Sequence, residues 1–387
     1  MMLQASTLTS HGIPEIQTGG GYPYKDMWIN GRRVTFDKIQ DGREQARSAF
    51  EESTFKFIHE WFAGEETFSM NTSGSTGKPK SISIARAQMI ASAQRTVRKI
   101  NLQRHARALV CIDTKYVAGK MMLVRALTTG MRIMAVDPSA NPLIRIPIDN
   151  CVQFTAFVPY QVTAILESKH PHLLNNLDKV LIGGAPLSSR SREELARFQC
   201  ECYETYGMTE TVSHIALRLV NTDMKQPYFE TLPGIDISLD SRGCLVISAD
   251  YLGQPVVTND LVEFVAPGKF LWLGRFDNVI NTGGVKVLPE KIEKAMMAVF
   301  QNHDLDHRFF IAALPDERLG HRVVLVIEGV QFSSESFPAA LEDLRATVSA
   351  YEFPREVYTI PKFLLTETQK VDRKKTLAAA TFLFAPK

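Results

Sequence analysis

Apolar and polar positions fall into two regimes along the chain. In the first, near-continuous apolar runs alternate with stretches of helical periodicity. "RALVCID" precedes the helix-like "VAGKMMLVRALTTG", and "MRIMAVD" follows. "QFTAFVP" leads into "YQVTAILESK", "KVLIGGAP" into "SSRSREELARF", and "ECYETYGMTE" is a further strand ending in a loop. Apolar strands separated by helices predict a parallel sheet covered on both faces. Ligands of such sheets collect beyond the strand C-termini. The loops there are "IDTKYVAG", "VPY", "GGAP" and "YGMTE".

The second regime begins after about Pro227. "IDISLD", "CLVISAD", "PVVTNDLVEFV" and "FLWLGRF" are short strands between turns, as in a small antiparallel barrel or sheet. From Asn278 the pattern predicts a compact α+β unit, with helices near "PEKIEKAMMAVF" and "FPAALEDLRATVSA" and strands at "RFFIAALPD" and "HRVVLVIEG". A basic segment, "TETQKVDRKKTL", follows. Ahead of both regimes, "MWINGRRVTF" reads as a hairpin turning at Asn30-Gly31. A helix is expected from about Asp41 to Trp61. The expected fold class is α/β: a large N-terminal domain, residues 1–274, with mostly parallel, helix-covered sheets and a small barrel-like part, then a small C-terminal α+β domain, residues 275–387.

Between the first helix and the parallel strands lies "TSGSTGKPK", Thr72 to Lys80. It has no side chain that builds a core. Gly74 and Gly77 permit tight turning. Thr72, Ser73, Ser75 and Thr76 supply hydroxyls, and Lys78 and Lys80 supply charge, which together suit a polyphosphate. A Walker A loop is excluded, because Gly74 and Gly77 stand too close and Pro79 follows Lys78. The bland alternative is a flexible Ser/Gly linker.

Bulk composition narrows the partners. The chain has 387 residues, 45% hydrophobic and 22% charged, with a formal net charge of +2. That is ordinary for a globular protein and gives no field directed at nucleic acid or membrane. No apolar run reaches the ~20 residues of a spanning helix. The N-terminal stretch lacks the charged and apolar regions of a signal peptide. An odd cysteine count of five, mostly in apolar runs, fits a reducing cytoplasm. Cys200 and Cys202 read as strand residues.

Five signatures now stand in order: "TSGSTGKPK", "YGMTE", "TND", "GRFDNVINTGGVKVLPEKIE" and a late "TQKVDRK". In this the chain resembles the adenylate-forming superfamily of acyl- and aryl-CoA ligases, adenylation domains and luciferases. "GGAPL" and "YGMTETVSHIA" most resemble the o-succinylbenzoate–CoA ligases of menaquinone synthesis. Most members carry a longer N-terminal region, so a shortened first subdomain is expected.

The resemblance implies ATP, Mg²⁺ and CoA: a carboxylate attacks the α-phosphorus of ATP, and CoA thiolate then displaces AMP. Thr72–Lys80 would cradle the β- and γ-phosphates. Glu210 would hold Mg²⁺, and Thr209 would donate to the α-phosphate. Thr205, Tyr206, Gly207 and Met208 would lie along the nucleotide with Gly183, Gly184, Ala185 and Pro186, Tyr206 against the adenine. Asp260 would accept from the ribose hydroxyls, with Asn259 where the family usually has Gly. Arg275 would bind the ribose or phosphate side. Asp277 falls at the family's hinge. Lys370, in Thr368-Gln369-Lys370 where the family reads T-G-K, would bridge the two reacting anions.

For the acid, Tyr116, Val117 and Gly119 match the family's pocket segment, and Ser213 and His214 would also line the pocket. Arg125 interrupts an apolar helix. It would either meet the second carboxylate of o-succinylbenzoate or reach solvent along its stem. Other readings are a ligase for another acid, an enzyme loading a carrier-protein thiol, and a silent nucleotide sensor. The expected partners are therefore small molecules, with a homodimer also compatible.

Overall fold

The computed structural model describes residues 22–71, 81–147, 151–221, 226–329, 336–365 and 371–384. The chain begins with a hairpin of β1 (Asp26–Ile29) and β2 (Arg32–Thr35). Asn30 and Gly31 take φ of 45° and 84°, the paired positive values of a type I′ turn. Two helices follow, α1 (Phe36–Gln40) and α2 (Ala49–Phe62). The helix expected from Asp41 therefore starts eight residues later. Gly42, at φ 67°, breaks the chain after α1, and Ser48 caps α2 by accepting from Glu51 N–H at 3.2 Å.

A separate ribbon of β3 (Thr67–Asn71) and β4 (Ser81–Ala85) pairs Asn71 with Ser81, so the two ends of the hydroxyl-rich loop are brought together. After α3 (Arg86–Lys99) come β5 (Arg107–Val110), α4 (Val117–Thr129), β6 (Arg132–Ala135), β7 (Phe154–Phe157), α5 (Pro159–Leu166), β8 (Lys179–Ile182), α6 (Ser189–Leu195) and β9 (Glu201–Gly207). The strands of this stretch pair in parallel in the order β9-β8-β7-β5-β6-β1. Both faces are covered. Ala108 and Val110 enter one core with Met121, Phe154 and Phe270, and Leu109 and Cys111 enter a second with Phe157, Ile182 and Cys202. This explains the continuous apolar runs of the parallel strands.

The next strands are β10 (His214–Leu219), β11 (Phe229–Thr231), β12 (Ile235–Leu239), β13 (Cys244–Ala249), β14 (Val256–Ala266) and β15 (Lys269–Arg275). They pair antiparallel and extend the parallel strands into one sheet of 13, in the order β12-β13-β14-β15-β11-β10-β9 on that side. The C-terminal region holds β16 (Ile280–Thr282), β17 (Val285–Val287), α7 (Pro289–Asn302), β18 (Phe309–Asp316), β19 (Gly320–Glu328), α8 (Ser336–Thr347), β20 (Glu356–Ile360), α9 (Arg373–Ala379) and β21 (Thr381–Phe384). It has cores of its own, built on Ile292, Phe300, Leu325 and Leu344 and on Phe310 and Phe363. Among the described residues no helix is long and apolar enough to cross a membrane.

Candidate active site

The parallel register sets the site. The segments after β5, β7, β8 and β9 are the four loops marked in the sequence, and neighbouring parallel strands deliver them to the same sheet end. Two glycines allow them to close on one another. A Cβ on Gly183 would stand 2.2 Å from Thr205 Oγ1, and one on Gly207 would stand 2.4 Å from His214 Cα. Gly184, Ala185 and Pro186 are exposed. The root of their loop is fixed by Glu204, which accepts from Leu187 N–H at 3.1 Å and pairs with Arg192 and Arg218 at 2.9 and 2.6 Å. No motif marks that carboxylate, whose partners lie on α6 and β10.

Tyr206 projects beside Phe229 and Phe270, with ring centroids 5.7 and 5.2 Å away. Its hydroxyl donates to Asp260 Oδ2 at 2.6 Å, and Trp272 Nε1 donates to Oδ1 at 3.2 Å. Burial and the Asp260 charge push the Tyr206 phenol well above its usual range. Asp260 is buried, its N–H bound to Thr258 Oγ1 at 3.0 Å. Its carboxylate thus has partners on both oxygens already, and ribose hydroxyls would have to share its remaining lone pairs. Trp272 carries no motif, and only pairing of β14 with β15 brings it to Asp260, whereas Thr258 opens the TND signature itself.

Arg275 stands opposite Asp260 in that pairing, with Nη1 3.8 Å from Oδ1. Its Nε and Nη2 grip Asp277 through two bonds of 2.9 Å. The guanidinium holds the Asp277 carboxyl below its usual range. The sequence-marked hinge residue is therefore clamped by its neighbour two positions back.

Thr209 and Glu210 lie on a single turn after β9, and Glu210 is exposed. Val212 follows at φ 69°, although it is β-branched and buried. Such a conformation costs about 1–3 kcal/mol and clusters at functional sites. Here it reverses the chain so that Ser213 and His214 return against Gly207. Among the described residues no three His, Cys, Asp or Glu side chains gather as a metal cluster. A lone exposed carboxylate suits Mg²⁺, which takes few protein ligands and shares its shell with phosphate.

Where the sequence predicts the acid pocket, α4 is buried nearly all round: Met121, Met122, Leu123, Val124, Ala126 and Leu127 all lie in the core. Arg125 is 2% exposed, so its stem does not carry the guanidinium to solvent. Its Nη2 donates to Ser213 Oγ at 2.9 Å and to His214 Nδ1 at 3.4 Å. Its Nε is buried without a partner among the described residues. No carboxylate among the described residues pairs with it. Burial pulls it down to about 9, still charged at neutral pH. His214 Nε2 lies 2.9 Å from Thr96 Oγ1, a residue on α3 that the sequence reading passed over. Burial and then the Arg125 charge push the imidazole well below its usual range. Gly119 is buried and Val117 half-buried, whereas Tyr116 is 37% exposed under Lys115 and is not brought against Arg125.

Thr72–Lys80 and Lys370 lie outside the described residues. Next to Lys370, Val371 bridges Leu365, and Arg373 makes a two-pronged bond with Glu293 on α7 at 2.7 and 2.9 Å.

The model of the AMP-binding enzyme family matches residues 33–245. A probable 2-succinylbenzoate–CoA ligase of Mycobacterium tuberculosis is 28% identical over 324 residues, 79% of this chain and 82% of that protein. Among solved structures, an acyl-CoA synthetase (AMP-forming)/AMP-acid ligase II-like protein of Dyadobacter fermentans is 38% identical. It has a TM-score of 0.58 and covers 88% of this chain and 97% of its own. The O-succinylbenzoate coenzyme A synthetase (MenE) of Bacillus subtilis, in complex with ATP and magnesium ion, has a TM-score of 0.67 at 18% identity, over 80% of this chain and 69% of its own. That likeness speaks to the fold alone. The chain belongs to the AMP-binding enzyme family, as an AMP-forming acyl-CoA ligase.

Proposed function

We propose that this ligase activates o-succinylbenzoate, in menaquinone synthesis, and transfers the acyl group to CoA. The observation that carries the reading is Arg125: a buried guanidinium whose partners among the described residues are all neutral, on the helix that begins at the acid-pocket segment. An uncompensated buried charge is costly, and a second carboxylate on the substrate would neutralise it. The name of the Mycobacterium tuberculosis relative points to the same acid.

The residues then take these roles. Thr72, Ser73, Gly74, Ser75, Thr76, Gly77, Lys78 and Lys80 hold and release the terminal phosphates. Thr209 donates to the α-phosphate. Glu210 holds Mg²⁺, which when bound neutralises phosphate charge. Tyr206 lines the adenine, and Asp260 shares its carboxylate with the ribose. Lys370 draws the carboxylate and α-phosphate together. Residues 275–387 turn about Asp277, so that one small domain serves both half-reactions. The five cysteines are free, four of them buried, which suits the cytoplasm.

The test is pyrophosphate release from ATP with o-succinylbenzoate, benzoate, a medium-chain fatty acid or acetate, each with and without CoA. Preference for o-succinylbenzoate with a CoA thioester as product supports the reading. Preference for another acid keeps the chemistry and removes the substrate. Adenylation without thioester formation favours a carrier-protein acceptor.

A further inference from the structure

The contacts around Arg125 run in one direction. Its Nη2 donates to His214 Nδ1, and an imidazole nitrogen that accepts carries no proton. The ring proton therefore sits on Nε2, where Thr96 Oγ1 receives it at 2.9 Å. The threonine's own proton points to Ser92 O, one turn back on α3 at 3.4 Å. Arg125, His214 and Thr96 are 2%, 7% and 0% exposed, and they come from α4, β10 and α3. Solvent cannot replace a partner that is lost. In the other tautomer, Nδ1–H would face the guanidinium, donor against donor. Losing the threonine hydroxyl leaves Nε2–H buried without an acceptor, so the tautomer that faces the guanidinium correctly loses its support. Ser213 alone would then orient the arginine.

We infer that Thr96 and His214 are positioning residues for Arg125: the hydroxyl holds the imidazole by accepting its Nε2–H, the imidazole orients the guanidinium, and the relay thereby sets the preference for a dicarboxylate over a monocarboxylate. This rests on the reading of Arg125 as the group that receives the second carboxylate. In this role each acts through Arg125 and not through a contact of its own with substrate. Their effect is on which acid is accepted, not on the adenylation step.

Two measurements test it. In ¹⁵N-histidine-labelled protein without substrate, His214 (assigned by its loss in His214→Gln) should show a protonated Nε2 and a bare Nδ1 at pH 7. A protonated Nδ1 overturns the relay. Thr96→Val keeps the shape and removes the hydroxyl. It should raise KM for o-succinylbenzoate about 3- to 10-fold, the worth of one hydrogen bond. KM for 4-oxo-4-phenylbutanoate, which lacks the ring carboxylate, should stay unchanged, and Thr96→Ser should restore the diacid value. Equal losses for both acids, or no loss, overturn the inference while the Arg125 reading stands. A wild-type enzyme indifferent to the ring carboxylate would sink the Arg125 reading and the selectivity role with it.

Discussion

Arg125→Met separates stability from recognition. The wild-type side chain is buried, bears an orphaned Nε, and has two neutral acceptors and no carboxylate among the described residues. An uncompensated buried charge costs about 3 kcal/mol or more. Methionine fills similar space without charge, but leaves Ser213 Oγ and His214 Nδ1 short of a donor, at about 1 kcal/mol each. The net effect is a gain of about 1–2 kcal/mol in the absence of substrate. For a domain of this size that is a rise of roughly 2–8 °C in Tm. Binding should move the other way. A charge-assisted hydrogen bond is worth about 1.5–3 kcal/mol, so KM for o-succinylbenzoate should rise about 10- to 100-fold. KM for 4-oxo-4-phenylbutanoate should hardly change. Thermal denaturation without ligand and initial-rate kinetics with both acids give the two readings. A lower Tm with both acids equally impaired would refute the reasoning, because it would make Arg125 a structural tie.

Other outcomes follow from the same geometry. His214 has its pKa lowered in the fold, so the unfolded chain binds the extra proton as pH drops. Stability should be whole above about pH 6.5 and fall below it, by up to ~1.4 kcal/mol per pH unit. Urea midpoints from pH 7.5 to 5 should show that slope, and His214→Gln should flatten it. Gly207→Ala places a Cβ 2.4 Å from His214 Cα, so it should displace Ser213–His214 and abolish the preference for the diacid, read as the ratio of kcat/KM for the two acids. Tyr206→Phe removes the donor on Asp260 Oδ2, and a change in KM for ATP without change in KM for the acid is expected. Lys370→Ala should cripple acid-dependent pyrophosphate release yet leave thioester formation from supplied acyl-adenylate largely intact; equal loss in both would remove its assigned role.

The strands and the four loops were legible because each apolar run is short, buried on both faces and followed by small or polar residues. The turn at Asn30-Gly31 was legible because the residue pair requires one backbone conformation. The start of α2 was not, since polar residues from Asp41 to Arg47 mimic a helical surface until Ser48 provides the cap. Arg125 could be noticed as a charge in an apolar helix, but two fates fitted it equally. What decided between them was burial of α4 from Met121 to Leu127, a tertiary fact. Thr96 gave no signal at all: it is one hydroxyl on an amphipathic helix, and it meets His214 from 118 positions away. Asp260 was visible as a carboxylate in a motif, while the Trp272 and Tyr206 bonds that occupy it depend on strand pairing.

The central claim is that a buried guanidinium selects a diacid. It is tested most directly by comparing kcat/KM for CoA thioester formation from o-succinylbenzoate and from 4-oxo-4-phenylbutanoate, two acids that differ only in the ring carboxylate. The account predicts a preference of about 10- to 100-fold for o-succinylbenzoate, the range of a charge-assisted hydrogen bond. Equal values, or a preference for the monoacid, would contradict it.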